Sequence, residues 1–244
     1  MSKIAILTDS SCDIPQEMAE KYNIDIMSFH ILLDGVDYVE RESCSNEEFY
    51  AKMRAAKGVP STAAITPIQF CEKYCQYVDE GYTDVIHVPI NRSGSSTYNN
   101  AVMAQGMLRE ERPEHHLKIH LIDPHTYSMP FGWYLCEMAR KLQNGAEISH
   151  VIHEFESQMN KMEVVLGPYS LRQMKKSGRI SAAAAFVNVT TKSRSISTGF
   201  CGSRILWIIR ATSTAVFPDP AAAETRISRF LKSMTFCCSF VHFI

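Results

Sequence analysis

What this 244-residue chain lacks narrows it quickly. It has no charge excess: 25 Lys+Arg face 26 Asp+Glu, a net charge of −1, so nothing global draws it to nucleic acid or to an anionic membrane. It has no apolar run of the roughly 20 residues that a membrane-spanning helix needs. Its N-terminus meets an acidic residue, Asp9, too early for the apolar core of a signal peptide, and a cytoplasmic protein is expected. Its eight cysteines lack zinc-site spacing: Cys71 and Cys75 stand one helical turn apart, and Cys237 and Cys238 are adjacent. In a reducing compartment they read as free thiols. No metal and no cofactor are expected.

Further absences exclude particular chemistries. A dinucleotide fold needs glycines where its first strand turns into a helix, to admit a pyrophosphate; here that turn is Asp9-Ser10-Ser11-Cys12-Asp13. A phosphate loop needs Gly-Lys-Ser/Thr, which neither this turn nor residues 91–97 contain. Gly94-Ser-Ser-Thr-Tyr98 lacks the second glycine of a nucleophile elbow, where a side chain would crowd the strained turn. Asp9 and Asp13 stand four apart, not in the Asp-x-Asp spacing of a phosphoaspartate phosphatase. Cys12 lies beside both carboxylates, which raise a thiol's pKa, so it is expected to be inert. His115, His116 and His120 around Glu114 read as a solvated loop. His125 follows a strand end and is expected to play a structural or supporting part.

What is present is an alternation of strand-like and helix-like stretches. Residues 3–7 form an apolar strand and 16–22 a helix. Residues 24–33 alternate loosely and lead into Asp34-Gly35, a hairpin signal, and then 36–39. Ser45-Asn-Glu-Glu48 is a capping box opening a helix through residue 56. Residues 61–67 read as a polar loop whose Thr66-Pro67 starts the next helix. Residues 84–90 and 118–122 are strands, followed by helices over 96–110 and 131–144, the second stopped by Gly145. A helix over 149–162, a strand over 163–166 and a short helix over 170–176 follow. This order calls for an α/β fold with a mainly parallel sheet flanked by helices. Two lobes are expected, residues 1–148 forming the first and the second beginning near Ser149.

The strand ends are rich in hydroxyls. The strand over 84–90 stops at Asn91-Arg-Ser-Gly-Ser-Ser-Thr97, and N–H groups at the following helix start suit an anion. Ser93, Ser95, Ser96 and Thr97 are further donors. The plainer reading is that one of them caps the helix. In a parallel sheet the strand C-termini gather along one edge, where ligands bind. Residues 8–11, 61–62, 93–97 and 123–126 are therefore expected to converge. A cradle of neutral donors without lysine suits a monovalent carboxylate better than a phosphate.

Four stretches together carry a likeness. Thr8-Asp-Ser-Ser-Cys-Asp-Ile-Pro15, Pro60-Ser-Thr62 with Thr66-Pro67 and Phe70, Ser95-Ser-Thr-Tyr98, and Gly178-Arg-Ile-Ser181 resemble, in order and spacing over residues 3–187, the DegV family of bacterial fatty-acid-binding proteins. The resemblance implies two α/β lobes with a long-chain, palmitate-like fatty acid threaded between them in an apolar tunnel, its carboxylate on Thr62 and Ser95. It implies a carrier and not an enzyme. Such a carrier presents the fatty acid to a separate fatty acid kinase for acyl-phosphate formation in phospholipid metabolism, a role compatible with transient membrane contact. Arg179 is implied as the positive charge of the site or as the kinase contact, and Ser10, Ser96 and Thr97 as further site candidates. Two alternatives stand beside it. One is a hydrolase of a small carboxylate or phosphate ester with Asp9 and His125 as acid and base; the other is a truncated, non-functional relative.

The likeness stops near Val187, where the composition also changes. Residues 1–187 hold 18 Lys+Arg and 24 Asp+Glu, whereas residues 188–244 hold 7 and 2, together with six of the twelve Phe. The family's His-x-Gly-Pro-Gly-like stretch, which helps hold the carboxylate, has no counterpart: His242 is followed by Phe243-Ile244. Residues 188–244 are expected to be an atypical tail produced by a frameshift or truncation, and residues 149–187 the start of an incomplete second lobe. Translation of the other reading frames tests this, a family-like continuation being the expected result.

Overall fold

The structure, a computed structural model, describes residues 3–166 and 207–211. Its centre is a four-stranded parallel sheet, built from β1 (Ile4–Asp9), β2 (Ile24–Met27), β6 (Asp84–Val88) and β7 (Lys118–Leu121) in the order β2-β1-β6-β7. Register is tight: Ile6 stands between Ile24 and Ile86, and Ile86 is opposite His120. The central strands read as near-continuous apolar runs because both of their faces are covered. Alternation along each strand then sorts the side chains. Ala5, Leu7 and Val85 pack with α3 (Pro67–Asp79) and α4 (Thr97–Glu111). Ile6, Ile86 and Val88 pack with α1 (Gln16–Tyr22), α5 (Met129–Gln143) and α6 (Ile148–Met159). Phe70 on one side, and Phe131 and Leu135 on the other, are fully buried, each stabilising the fold by roughly 1.5–3 kcal/mol. The mixed α/β architecture with a helix-flanked parallel sheet is the one expected from the sequence.

Helix α5 reaches the turn after β1 because residue 132 is glycine. A Cβ there would lie 2.2 Å from the Cys12 carbonyl oxygen. Helix α6, where the second lobe was expected to begin, packs on α5 and puts Val151, Phe155 and Met159 into the same core as Ile6 and Ile86. β8 (Met162–Leu166) follows and pairs antiparallel with β9 (Trp207–Ala211). The helix expected over 170–176, and the remainder of the expected second lobe and tail, lie outside the described residues.

The loosely alternating run 24–33 splits at Ser28-Phe29. β2 stays in the parallel sheet, while β3 (His30–Leu33) begins a small antiparallel sheet in the order β4-β3-β5, with β4 at Val36–Val39 and β5 at Ser61–Ala63. The hairpin turn is the one Asp34-Gly35 announces: both residues have positive φ, 49° and 83°, as a type I′ turn requires. Helix α2 (Asn46–Ala55), opened by the expected capping box of Ser45 with Glu48, covers this sheet by packing Phe49 on Ile31 and Leu33. Residues 61–63, read from the sequence as loop, are an edge strand with Thr62 opposite Ile31. A strand of three residues is too short to show a period.

Candidate functional site

Open parallel sheets bind ligands at strand C-termini where the strand order reverses. β1 has β2 on one side and β6 on the other, so the reversal falls between β1 and β6. The loops leaving these strands are residues 10–15 and 89–96, and Asp9 ties them together. Wholly buried, its Oδ2 accepts the Ile90 N–H at 2.6 Å. Its Oδ1 accepts the Ser11 N–H at 3.1 Å and the Ser11 hydroxyl. Thr8, beside it, donates its hydroxyl to the Val88 carbonyl at 2.7 Å. A second carboxylate repeats the device at the next loop: Asp123 Oδ1 accepts the N–H of His125 at 2.9 Å and of Arg92 at 3.3 Å. Two carboxylates thus hold three strand ends in one edge.

Along that edge, residues 91–97 form a tight polar loop. Asn91 Oδ1 accepts the Ser93 N–H at 2.9 Å, and the Gly94 N–H donates to the Asn91 carbonyl at 3.0 Å. Gly94 lets the Tyr127 hydroxyl lie over the loop, since a Cβ would meet that oxygen at 2.3 Å. Ser95 is half-buried; its Oγ lies 2.9 Å from Thr97 Oγ1 and accepts the Thr97 N–H at 3.3 Å. Thr97 is fully buried, and Ser96 is exposed with no capping bond from its side chain. The capping reading is therefore realised by Ser95, and it does not use up the hydroxyl. A serine oxygen both accepts and donates, so when Thr97 Oγ1 donates to Ser95, the Ser95 proton remains for an acceptor at the positive end of a 15-residue helix.

Thr62 is half-buried on β5. Three residues on, the Ile65 carbonyl accepts from Asn100 Nδ2 at 2.8 Å, fastening the loop after β5 to the start of α4. Ser10 is placed differently. Its hydroxyl donates to Glu40 and accepts the Phe29 N–H at 3.0 Å, in a buried position, so it joins the small sheet to the end of β1. Arg92 supplies a cation to the loop; its guanidinium lies 5.4 Å from the centre of the Tyr98 ring. Arg179 lies outside the described residues.

Three further described side chains that could serve as acid, base or nucleophile are His125, Cys12 and His87. The ionic partner of the exposed His125 is Asp123, 3.4 Å away, and not Asp9. Cys12 is buried, and burial pushes its thiol well up, in line with the inert thiol expected. His87 on β6, which no sequence motif singles out, is wholly buried with Nδ1 2.7 Å from the Tyr74 hydroxyl. Burial lowers its pKa to about 3, so it is neutral, and its Nε2 has no hydrogen-bond partner among the described residues.

Residues 3–194 match the family model described as an uncharacterised protein family, DegV. The chain belongs to the DegV family. A DegV domain-containing protein of Clostridium perfringens is 30% identical over 186 residues, which cover 76% of this chain and 64% of that protein. A Staphylococcus aureus DegV domain-containing protein is 28% identical over 195 residues, 80% and 66% of the two chains. Among solved structures, a DegV lipid-binding protein of Thermotoga maritima superposes with a TM-score of 0.64 at 27% identity, over 74% of this chain and 63% of that one. A second Thermotoga maritima protein, whose structure is reported to reveal a fatty-acid-binding function, has the same TM-score and identity over 74% and 64%. This DegV chain therefore spans a little under two thirds of the length of these structures. Among its described residues no helix is long and apolar enough to cross a membrane.

Proposed function

We propose that this DegV-family chain binds a long-chain fatty acid in an apolar tunnel, its carboxylate held by the hydroxyls of Thr62 and Ser95, and presents it to a separate fatty acid kinase that makes the acyl phosphate. The observation that carries the reading is a half-buried, cation-flanked hydroxyl cluster at the switch point of a fold shared with a Thermotoga maritima protein reported to bind fatty acid. On the same edge, Cys12 is buried and Asp9 directs its oxygens to loop donors. That suits a carrier whose phosphoryl chemistry comes from its partner. Thr97 orients Ser95, Arg92 adds positive potential, and Arg179 remains the proposed further cation or kinase contact. A cytoplasmic location, transient membrane contact and delivery of the acyl phosphate to phospholipid metabolism belong to the same proposal.

Magnitudes divide the labour. Burying about twelve methylenes at ~0.8 kcal/mol each offers roughly 10 kcal/mol before entropy losses. Two charge-assisted hydrogen bonds contribute about 1.5–3 kcal/mol each. The acyl chain supplies affinity and the hydroxyls supply orientation. Displacement of a fluorescent fatty acid by palmitate tests this in Thr62→Val and Ser95→Ala, with acyl-phosphate yield measured alongside added kinase. Each variant should bind about 10- to 100-fold more weakly. Wild-type affinity and wild-type yield in both variants would overturn the assignment.

A further inference from the structure

Helices α3 and α4 run side by side in the same direction. Asn100, near the start of α4, bonds the carbonyl of Ile65 just before α3; Arg112, just after α4, pairs at 3.8 Å with Asp79 at the end of α3. Between these two links, three metal-ligand side chains converge. Cys71 and Cys75 stand four apart on α3, so they share one face, and they are 1% and 8% exposed. Glu111, in the last turn of α4, reaches them from across the interface and is itself exposed. Cys71 Sγ lies 3.5 Å from Glu111 Oε2. Both sulfurs and a carboxylate oxygen lie within 4.8 Å of one another.

These separations can be set against a known polyhedron. A tetrahedral zinc ion with Zn–S of about 2.3 Å and Zn–O of about 2.0 Å holds a sulfur and an oxygen ligand about 3.5 Å apart. The Cys71–Glu111 edge already has that length. We propose that Cys71, Cys75 and Glu111 form a zinc site bridging α3 and α4, with a solvent water completing the tetrahedron on the exposed side of Glu111. On binding, each thiol S–H breaks and gives its proton to solvent as an S–Zn bond forms, while the ionised carboxylate binds through one oxygen. Three anionic ligands against a divalent ion leave one net negative charge. Arg112, whose charge acts on Cys75, lies beside it to offset that charge, and Asp79 is paired with Arg112.

The chemistry selects a thiophilic ion. Two cysteine sulfurs and one carboxylate oxygen make up the donor set. Hard ions such as calcium and magnesium favour all-oxygen sites, whereas thiolate ligands suit zinc. Cysteine spacing alone reveals half of the site, because the third ligand comes from the next helix. A 15-residue helix is about 22 Å long, so the site sits at the far end of α4 from Ser95. The site is a structural clamp on the α3–α4 pair and does not depend on the fatty-acid reading.

The test uses the full chain, with zinc competed against a chromogenic chelator and cobalt(II) as a spectroscopic substitute. Expected are one zinc per chain, about two protons released per ion, and a thiolate-to-cobalt charge-transfer band. Glu111→Gln, at an exposed position that leaves the fold intact, should weaken zinc binding by more than about tenfold. Cys71→Ser with Cys75→Ser should abolish the cobalt band, whereas Cys136→Ser, on the opposite face of the sheet, should leave it unchanged. Absence of stoichiometric zinc in the wild-type chain, a cobalt band surviving the double substitution, or unchanged affinity in Glu111→Gln would each overturn the proposal.

Discussion

Replacing His87 by Phe should remove about 2 kcal/mol of the stability that this protein loses between pH 7 and pH 5. Desolvation lowers the folded-state pKa of His87 from 6.5 to about 3. In the unfolded chain the imidazole returns to about 6.5. Between those values the unfolded state binds a proton that the folded state refuses, so stability is full above pH 6.5 and falls as the pH drops towards 3. At pH 5 the proton favours the unfolded state by about 2 kcal/mol, from a pKa lying one and a half pH units above, and at pH 7 by only about 0.2 kcal/mol. Urea unfolding of the wild type and His87→Phe, followed by far-ultraviolet circular dichroism at both pH values, gives the difference directly. The variant also loses the Tyr74 hydrogen bond. Burial raises the Tyr74 pKa, so that phenol stays protonated at both pH values and its loss cancels in the comparison. An identical pH dependence in both proteins would refute the picture of a neutral, desolvated His87.

Two glycines on helices should respond in opposite directions. Gly132→Ala drives a methyl onto the Cys12 carbonyl, 2.2 Å away and part of the backbone, and should cost about 3 kcal/mol; Gly106→Ala, inside α4 with nothing within 4 Å, should gain about 0.8 kcal/mol. Thermal unfolding of the two variants reads both, and equal effects would show that the approach of α5 to the β1 turn is not tight. Asp9→Asn replaces an oxygen that accepts the Ile90 or Ser11 N–H with a donor. It should destabilise the fold by about 1–3 kcal/mol, and faster amide exchange at Ile90 and Ser11 should accompany it; unaltered exchange would remove the clamp role.

Local chemistry made much of the fold legible. Ser45 with Glu48 and Thr66 with Gln69 each close a capping box within four residues, and Asp34-Gly35 carries its own turn. The apolar runs of β1 and β6 report a sheet covered on both faces. What escaped depends on partners distant in the chain. β5 is a strand because β3 pairs with it, and the break at Ser28-Phe29 has meaning only once two sheets exist. The hydroxyl-rich strand ends were legible, but sequence could not tell Ser10, buried and bonded to Glu40 and Phe29, from Ser95, which is only half-buried. Tyr127 over Gly94, and Glu111 opposite Cys71, are equally products of packing.

The small antiparallel sheet is fastened to the parallel one through Ser10 and through the Asn100 bond to Ile65. Its own fully buried core is Ile31, Leu33 and Phe49, while the parallel sheet is packed on both faces by extensive clusters. Regions with little buried apolar surface open first, ahead of global unfolding. Thr62 rides on the edge of this weaker unit and Ser95 on the loop of the stronger one. Were the fatty-acid carboxylate to span the two hydroxyls as proposed, it would latch a firm body to a softer flap, and its release would require the flap to lift while β1 and β6 stay paired.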